Sequence, residues 1–123
     1  MMGMKIKKMT IDELVEHFVA IAIDQDKASF EENNAKFNRL FSRMEAVRSE
    51  LKIRPGDQRK ALLPLLDHPN LQVRLKAAIT TLAVAPGPSR QVLQTIASSN
   101  RLPQAANAGL ILNGLNDGSF VPK

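Results

Sequence analysis

The chain has 123 residues, 44% of them hydrophobic and 24% charged, with a formal charge of +5 and no cysteine. That length and balance fit one globular domain with a real core. The missing cysteines exclude disulfides, thiolate metal sites and cysteine nucleophiles, and fit a reducing, cytoplasmic compartment. Lys5, Lys7 and Lys8 supply three of the five charges, which leaves +2 for the remainder. An excess that small serves solubility, or draws the chain towards nucleic acid or an acidic partner.

Residues 1–9 are basic and carry no apolar stretch of signal-peptide length, so they are expected to be disordered. No transmembrane stretch follows. A single all-α domain is expected over 10–117, with an irregular tail over 118–123. Thr10 and Glu13 have capping-box spacing, which starts a helix running to about Ala28. Its buried stripe is Leu14, Val15, Phe18 and Ala22 with Ile11 and Ile21, broadened by Val19 and Ile23. Asn33-Asn34 breaks the chain before a second helix over Ala35 to Lys52. There Phe37, Leu40, Phe41, Met44, Val47 and Leu51 hold a 3–4 spacing, while Lys36, Arg39 and Arg43 face solvent. Arg48 falls inside the apolar stripe and must either snorkel or pair with a carboxylate.

Arg54-Pro55-Gly56-Asp57 reads as a turn with Asp57 as N-cap. A short helix through Leu62–Leu66 follows, with Pro64 bending it or marking its first turn. Asn70 is placed to cap the next helix, Leu71 to Ala85. On that helix Val73, Ala77 and Val84 fall on one side, and Leu71, Leu75, Ala78 and Leu82 fall nearly opposite. A helix apolar on two sides is sandwiched between neighbours, and the run is too short and too interrupted to span a bilayer. Pro86-Gly87-Pro88 is a hard stop that opens a short helix through Val92, Leu93, Ile96 and Ala97. The last helix runs from Leu102 or Pro103 to Asn116 and holds no charge. Its small residues Ala105, Ala106, Ala108, Gly109 and Gly114 permit close approach of another backbone. No period-two alternation persists anywhere, so six helices in three antiparallel pairs are expected.

Leu62–Ala85 and Gln91–Leu115 each read as helix, tight turn, helix, the mark of stacked helical hairpins. Pro64-Leu65-Leu66, then Asp67-His68-Pro69-Asn70, then Val73-Arg74 with Ala77-Ala78, resembles the HEAT repeat. The second unit departs from it, with Ala105-Ala106 where Val-Arg would stand. Leu14-Val15 with Phe18, Gln25-Asp26, Asn34 with Phe37, and the Val73-Arg74 unit together resemble a family of small bacterial HEAT-like proteins of uncharacterised function. That resemblance implies a right-handed α-α superhelix and binding rather than catalysis. It also implies a structural clamp in which Arg74 meets Asp67 or the backbone near Asn70.

Signals for chemistry are poor. Pro86-Gly87-Pro88 is too stiff and short for a phosphate loop, and no serine sits in a nucleophile elbow. His17 and Glu13, one turn apart, could begin a metal site but lack a third ligand, which leaves a solvent-facing histidine beside a carboxylate. Glu31 and Glu32 point to different sides of a helix. No enzyme, cofactor or metal is therefore expected. A protein-interaction module fits, its partner surface formed by second helices through Gln72, Lys76, Thr80 and Asn107 with Arg39 or Arg43 nearby. The uncharged last helix either caps the core or joins two copies. The alternative is a nucleic-acid binder using Lys36, Arg39, Arg43, Arg59, Lys60 and Lys76. Against it, there is no Trp or Tyr, and the core is expected to claim most of the five phenylalanines.

Overall fold

The computed structural model describes residues 2–123. Among them are six α-helices, one 3-10 helix and no strand. The chain divides into two compact units, one ending at Ala61 and the other spanning Leu62–Lys123.

The first unit holds α1 (Met2–Lys8), α2 (Ile11–Phe30) and α3 (Asn34–Ile53). The Thr10 hydroxyl accepts from the Glu13 N–H at 3.1 Å, and the Glu13 carboxylate accepts from the Thr10 N–H at 2.9 Å, so the capping box closes in full. Those Thr10 contacts hold the Glu13 carboxyl below its usual range. Leu14, Phe18, Ile21 and Ala22 on α2 are buried with Leu40, Met44, Val47 and Leu51 on α3, along the contact between the two helices. Phe41, expected in that stripe, is 46% exposed. Arg48 pairs with Glu45 on its own helix at 2.6 Å, with both side chains partly in solvent.

The expected disorder before Thr10 is a correction, although Met1 lies outside the described residues. α1 packs on α3 and buries Ile6. The Arg54 guanidinium explains the order. Its Nη2 donates to the Ile6 and Lys7 carbonyls at 3.2 and 3.3 Å, which satisfies the end of α1, and its Nε binds Glu50 at 2.6 Å. Three lysines in the same last turn suit the negative end of the helix dipole. Arg54→Ala should therefore release α1, at about 1.5–3 kcal/mol. Hydrogen exchange at residues 5–9 should rise towards unprotected rates while α2 stays slow. Unchanged protection of that segment would contradict the capping role.

The 3-10 helix Gln58–Asp67 stands where a short α-helix was expected. Pro64 lies inside it and can neither donate a backbone bond nor tolerate the α carbonyl four residues back. At its start Asp57 binds the Arg59 guanidinium through both oxygens, at 2.8 and 2.6 Å, and the arginine holds the Asp57 carboxyl below its usual range.

The second unit is built on α4 (Leu71–Thr81), α5 (Pro86–Ala97) and α6 (Gln104–Asp117). α4 packs on α5 and α6, and α5 packs on α6. The pairing thus differs from the three hairpins expected, because the middle one lacks an α-helical first arm. Asn70 caps α4 as expected, accepting from the Val73 N–H at 3.1 Å. α4 ends four residues early. The Thr80 and Thr81 hydroxyls bond back to the Lys76 and Ala77 carbonyls, and the Thr81 carbonyl closes a tight turn with the N–H groups of Val84 and Ala85 before Pro86.

Val73, Ala77, Leu75 and Ala78 are fully buried and Leu82 nearly so, which covers both apolar sides of α4. The polar side chains Thr81, Ser89, Gln72 and Gln104 find partners inside. Thr81 spends its one proton on the Ala77 carbonyl, so the 2.7 Å bond to Ser89 on α5 has Ser89 as donor. Gln104 Nε2 donates to Gln72 Oε1 at 3.1 Å, a buried hydrogen bond that joins α6 to α4. α6 ends at Gly118, whose φ of 82° is left-handed. The irregular tail turns back there, and the Phe120 N–H donates to the Gly114 carbonyl at 3.1 Å. A Cβ on Gly114 would lie 2.8 Å from that of Phe120, whereas one on Gly109 would meet nothing. Close approach therefore uses Gly114 and not the whole run of small residues.

Candidate functional site

A concavity of the second unit opens between α4, α5 and the end of the 3-10 segment. It has a volume of about 570 Å³ and is lined by Leu63, Leu66, Asp67, Arg74, Pro88, Gln91, Val92 and Thr95. The local sequence explains each wall. Val92 and Thr95 lie three apart on α5, and Gln91 lies one turn before Thr95, so all three share one helix face. Arg74 projects from the first turns of α4, fixed by the Asn70 cap. Asn70 is itself held by a bond from its N–H to His68 Nδ1 at 3.0 Å, which makes His68 an acceptor in the turn.

Arg74 dominates the cleft. It is half-buried, and its Nε is shielded from solvent with no hydrogen-bond partner. The expected clamp does not close: Asp67 lines the same cleft but is exposed and forms no ion pair with Arg74. Asn70 spends its side chain on Val73. The turn acid points to solvent, so of the three clamp residues only Asn70 does the structural work foreseen for it.

The expected partner surface is also corrected. Gln72 is 4% exposed and Thr80 2%, so neither can meet a partner. Polar residues at those positions serve the interior, through Gln104 and the Lys76 carbonyl. Lys76 and Asn107 are half-buried in the second unit, while Arg39 and Arg43 are exposed on α3 in the first. Phenylalanines were expected in the core, yet only Phe18 is fully buried, and Phe30 is 90% exposed. Arg59 is buried on Asp57, which removes it from any basic face.

His17 does not face solvent. It is half-buried, its Nε2 is shielded and has no partner, and Glu13 is turned to Thr10 instead. Burial first, then the positive Lys5 and Arg43, hold its pKa below the ordinary value. A histidine kept neutral in the fold binds fewer protons than in the unfolded chain, so stability should fall as pH drops below about 6.5 and level off once folded His17 is charged too. Thermal midpoints taken at about pH 7.5 and 5.5 should differ less in His17→Gln than in the parent; equal differences would contradict this assignment. Among the described residues no cluster of three His, Cys, Asp or Glu is placed to hold a metal ion, and no helix is long and apolar enough to cross a membrane.

A family model described as a domain of unknown function, DUF2019, matches residues 12–116. The chain belongs to that family. The DUF2019 span contains every residue lining the cleft and leaves α1 outside it. The chain is also similar to protein RPA1889 from Rhodopseudomonas palustris CGA009, known from a crystal structure. The two are 49% identical with a TM-score of 0.93, over 95% of this chain and 97% of that one. No curated protein matches at a significant level. An all-helical bacterial fold is thus shared, and DUF2019 carries no assigned activity.

Proposed function

We propose that this chain is a non-enzymatic, cytoplasmic protein-interaction module of HEAT-like α-α superhelical type. The observation that carries this reading is the cleft beside Arg74. Apolar walls from Leu63, Leu66 and Val92 surround a few polar groups, the composition of a binding groove. The docking point is the cleft and not the face of α4, whose polar residues are spent inside. The Val73-Arg74 pair on α4 supports the HEAT-like reading, since it stands on the second arm after the Asp67–Asn70 turn.

A photo-crosslinking residue at Thr95, exposed on the cleft wall, tests this in living cells. A discrete adduct should form there and not from Gln94, which is exposed on the same helix but outside the cleft. Adducts of equal yield from both positions, or none from Thr95, would overturn the docking role.

Two features keep other partners in view. Phe30 is bare on α2, and Arg39 and Arg43 are exposed on α3, which favours nucleic acid as the second reading. A salt-dependent shift with generic duplex would support it, and no shift at low salt would remove it. Leu110 on α6 and Leu102 in the turn before it are more than two-thirds exposed, and α6 carries no charge before Asp117, which would suit a second copy of the chain. Solution mass distinguishes that case from a monomer.

A further inference from the structure

The unbonded guanidinium edge of Arg74 says what the cleft recognises. A buried N–H without an acceptor is unfavourable, and the great majority of such groups in folded proteins are satisfied. Arg74 Nε is buried and unsatisfied, and it belongs to a side chain that lines an open cleft. The carboxylate nearest in sequence, Asp67, lines the same cleft without pairing to it. The geometry points to an external acceptor: the cleft takes a peptide segment of another protein, with an Asp or Glu side chain set on Arg74 and an apolar side chain beside it. This inference rests on the docking role proposed above.

Several observations select that occupant. A carboxylate presents two acceptor oxygens in one plane and suits the outer Nη donors of the guanidinium, Nε itself being shielded from solvent. The volume of about 570 Å³ is far more than one carboxylate fills, and Leu63, Leu66, Pro88 and Val92 offer apolar wall for the neighbouring residues. Gln91 adds an exposed side-chain amide to the same lining. The net charge of +5 favours encounter with an acidic segment.

An unbiased random peptide library displayed on phage, selected on the full chain, tests the inference. Enriched peptides are then synthesised with a fluorescent label and their affinities measured by anisotropy. Enriched sequences should share an Asp or Glu with an apolar residue within two positions. Changing that acid to its amide should weaken binding roughly ten- to a hundredfold, and Arg74→Gln should do the same. The thermal midpoint of Arg74→Gln is checked first; if that variant does not fold, Thr95→Glu places a competing carboxylate in the cleft and should give a similar loss. Peptides that lack an acid but lose binding to Thr95→Trp, which blocks the cleft sterically, would overturn the carboxylate assignment and leave the docking role standing. Peptides that bind Thr95→Trp as well as the parent, or no enrichment at all, would overturn both.

Discussion

Leu82→Ala should lower stability by about 2–5 kcal/mol. Leu82 closes the C-terminal end of α4 and is 3% exposed, in a unit where α4 packs on both α5 and α6. Removing its side chain takes apolar surface out of the core and leaves a void that a close-packed interior fills only in part. Leu110 supplies the control. It is the same residue type on α6 but 71% exposed, so Leu110→Ala should stay within about 0.5 kcal/mol. Chemical denaturation of both variants checks the pair. Equal midpoints would mean that Leu82 is not a core residue.

Phe18→Ala should cost about 3–5 kcal/mol in the first unit. Phe18 is fully buried on α2, the helix that makes the main contact with α3. Phe30 lies on the same helix and is 90% exposed, so Phe30→Ala should change stability by less than about 0.5 kcal/mol. Because the chain divides into two compact units, the Phe18 variant should be followed with a probe in each unit, and loss of the first unit's signal at lower denaturant is the expected outcome. A Phe18 variant as stable as the parent would remove α2 from the centre of its unit.

Local signals in the chain proved legible. The spacing of Thr10 and Glu13 announced a capping box that forms with both bonds, and Asn70 announced the cap of α4. Apolar residues on two sides of Leu71–Leu82 announced a helix buried on both. What was not legible depends on residues far apart in sequence. Gln72 looks like surface until Gln104 supplies its partner, and α1 looks disordered until Arg54 caps it. Pro64 marked a distorted segment without revealing that the whole run would wind as a 3-10 helix. The cleft is illegible for a related reason: a carboxylate stands seven residues before Arg74, and no local pattern shows which way the Asp67 side chain turns.

Burial of α4 on both sides places Arg74 at the cleft and removes Gln72 and Thr80 from the surface, so it carries the rest. The chain has no cysteine, which makes a thiol placed at one position its own reporter. Val73→Cys and Ala78→Cys set thiols on the two sides of α4, at positions with no exposed surface. Both should resist a thiol reagent under native conditions and react only as fast as the second unit unfolds. Rapid labelling of either one in the native protein would show an open flank on α4 and contradict its placement as an inner helix.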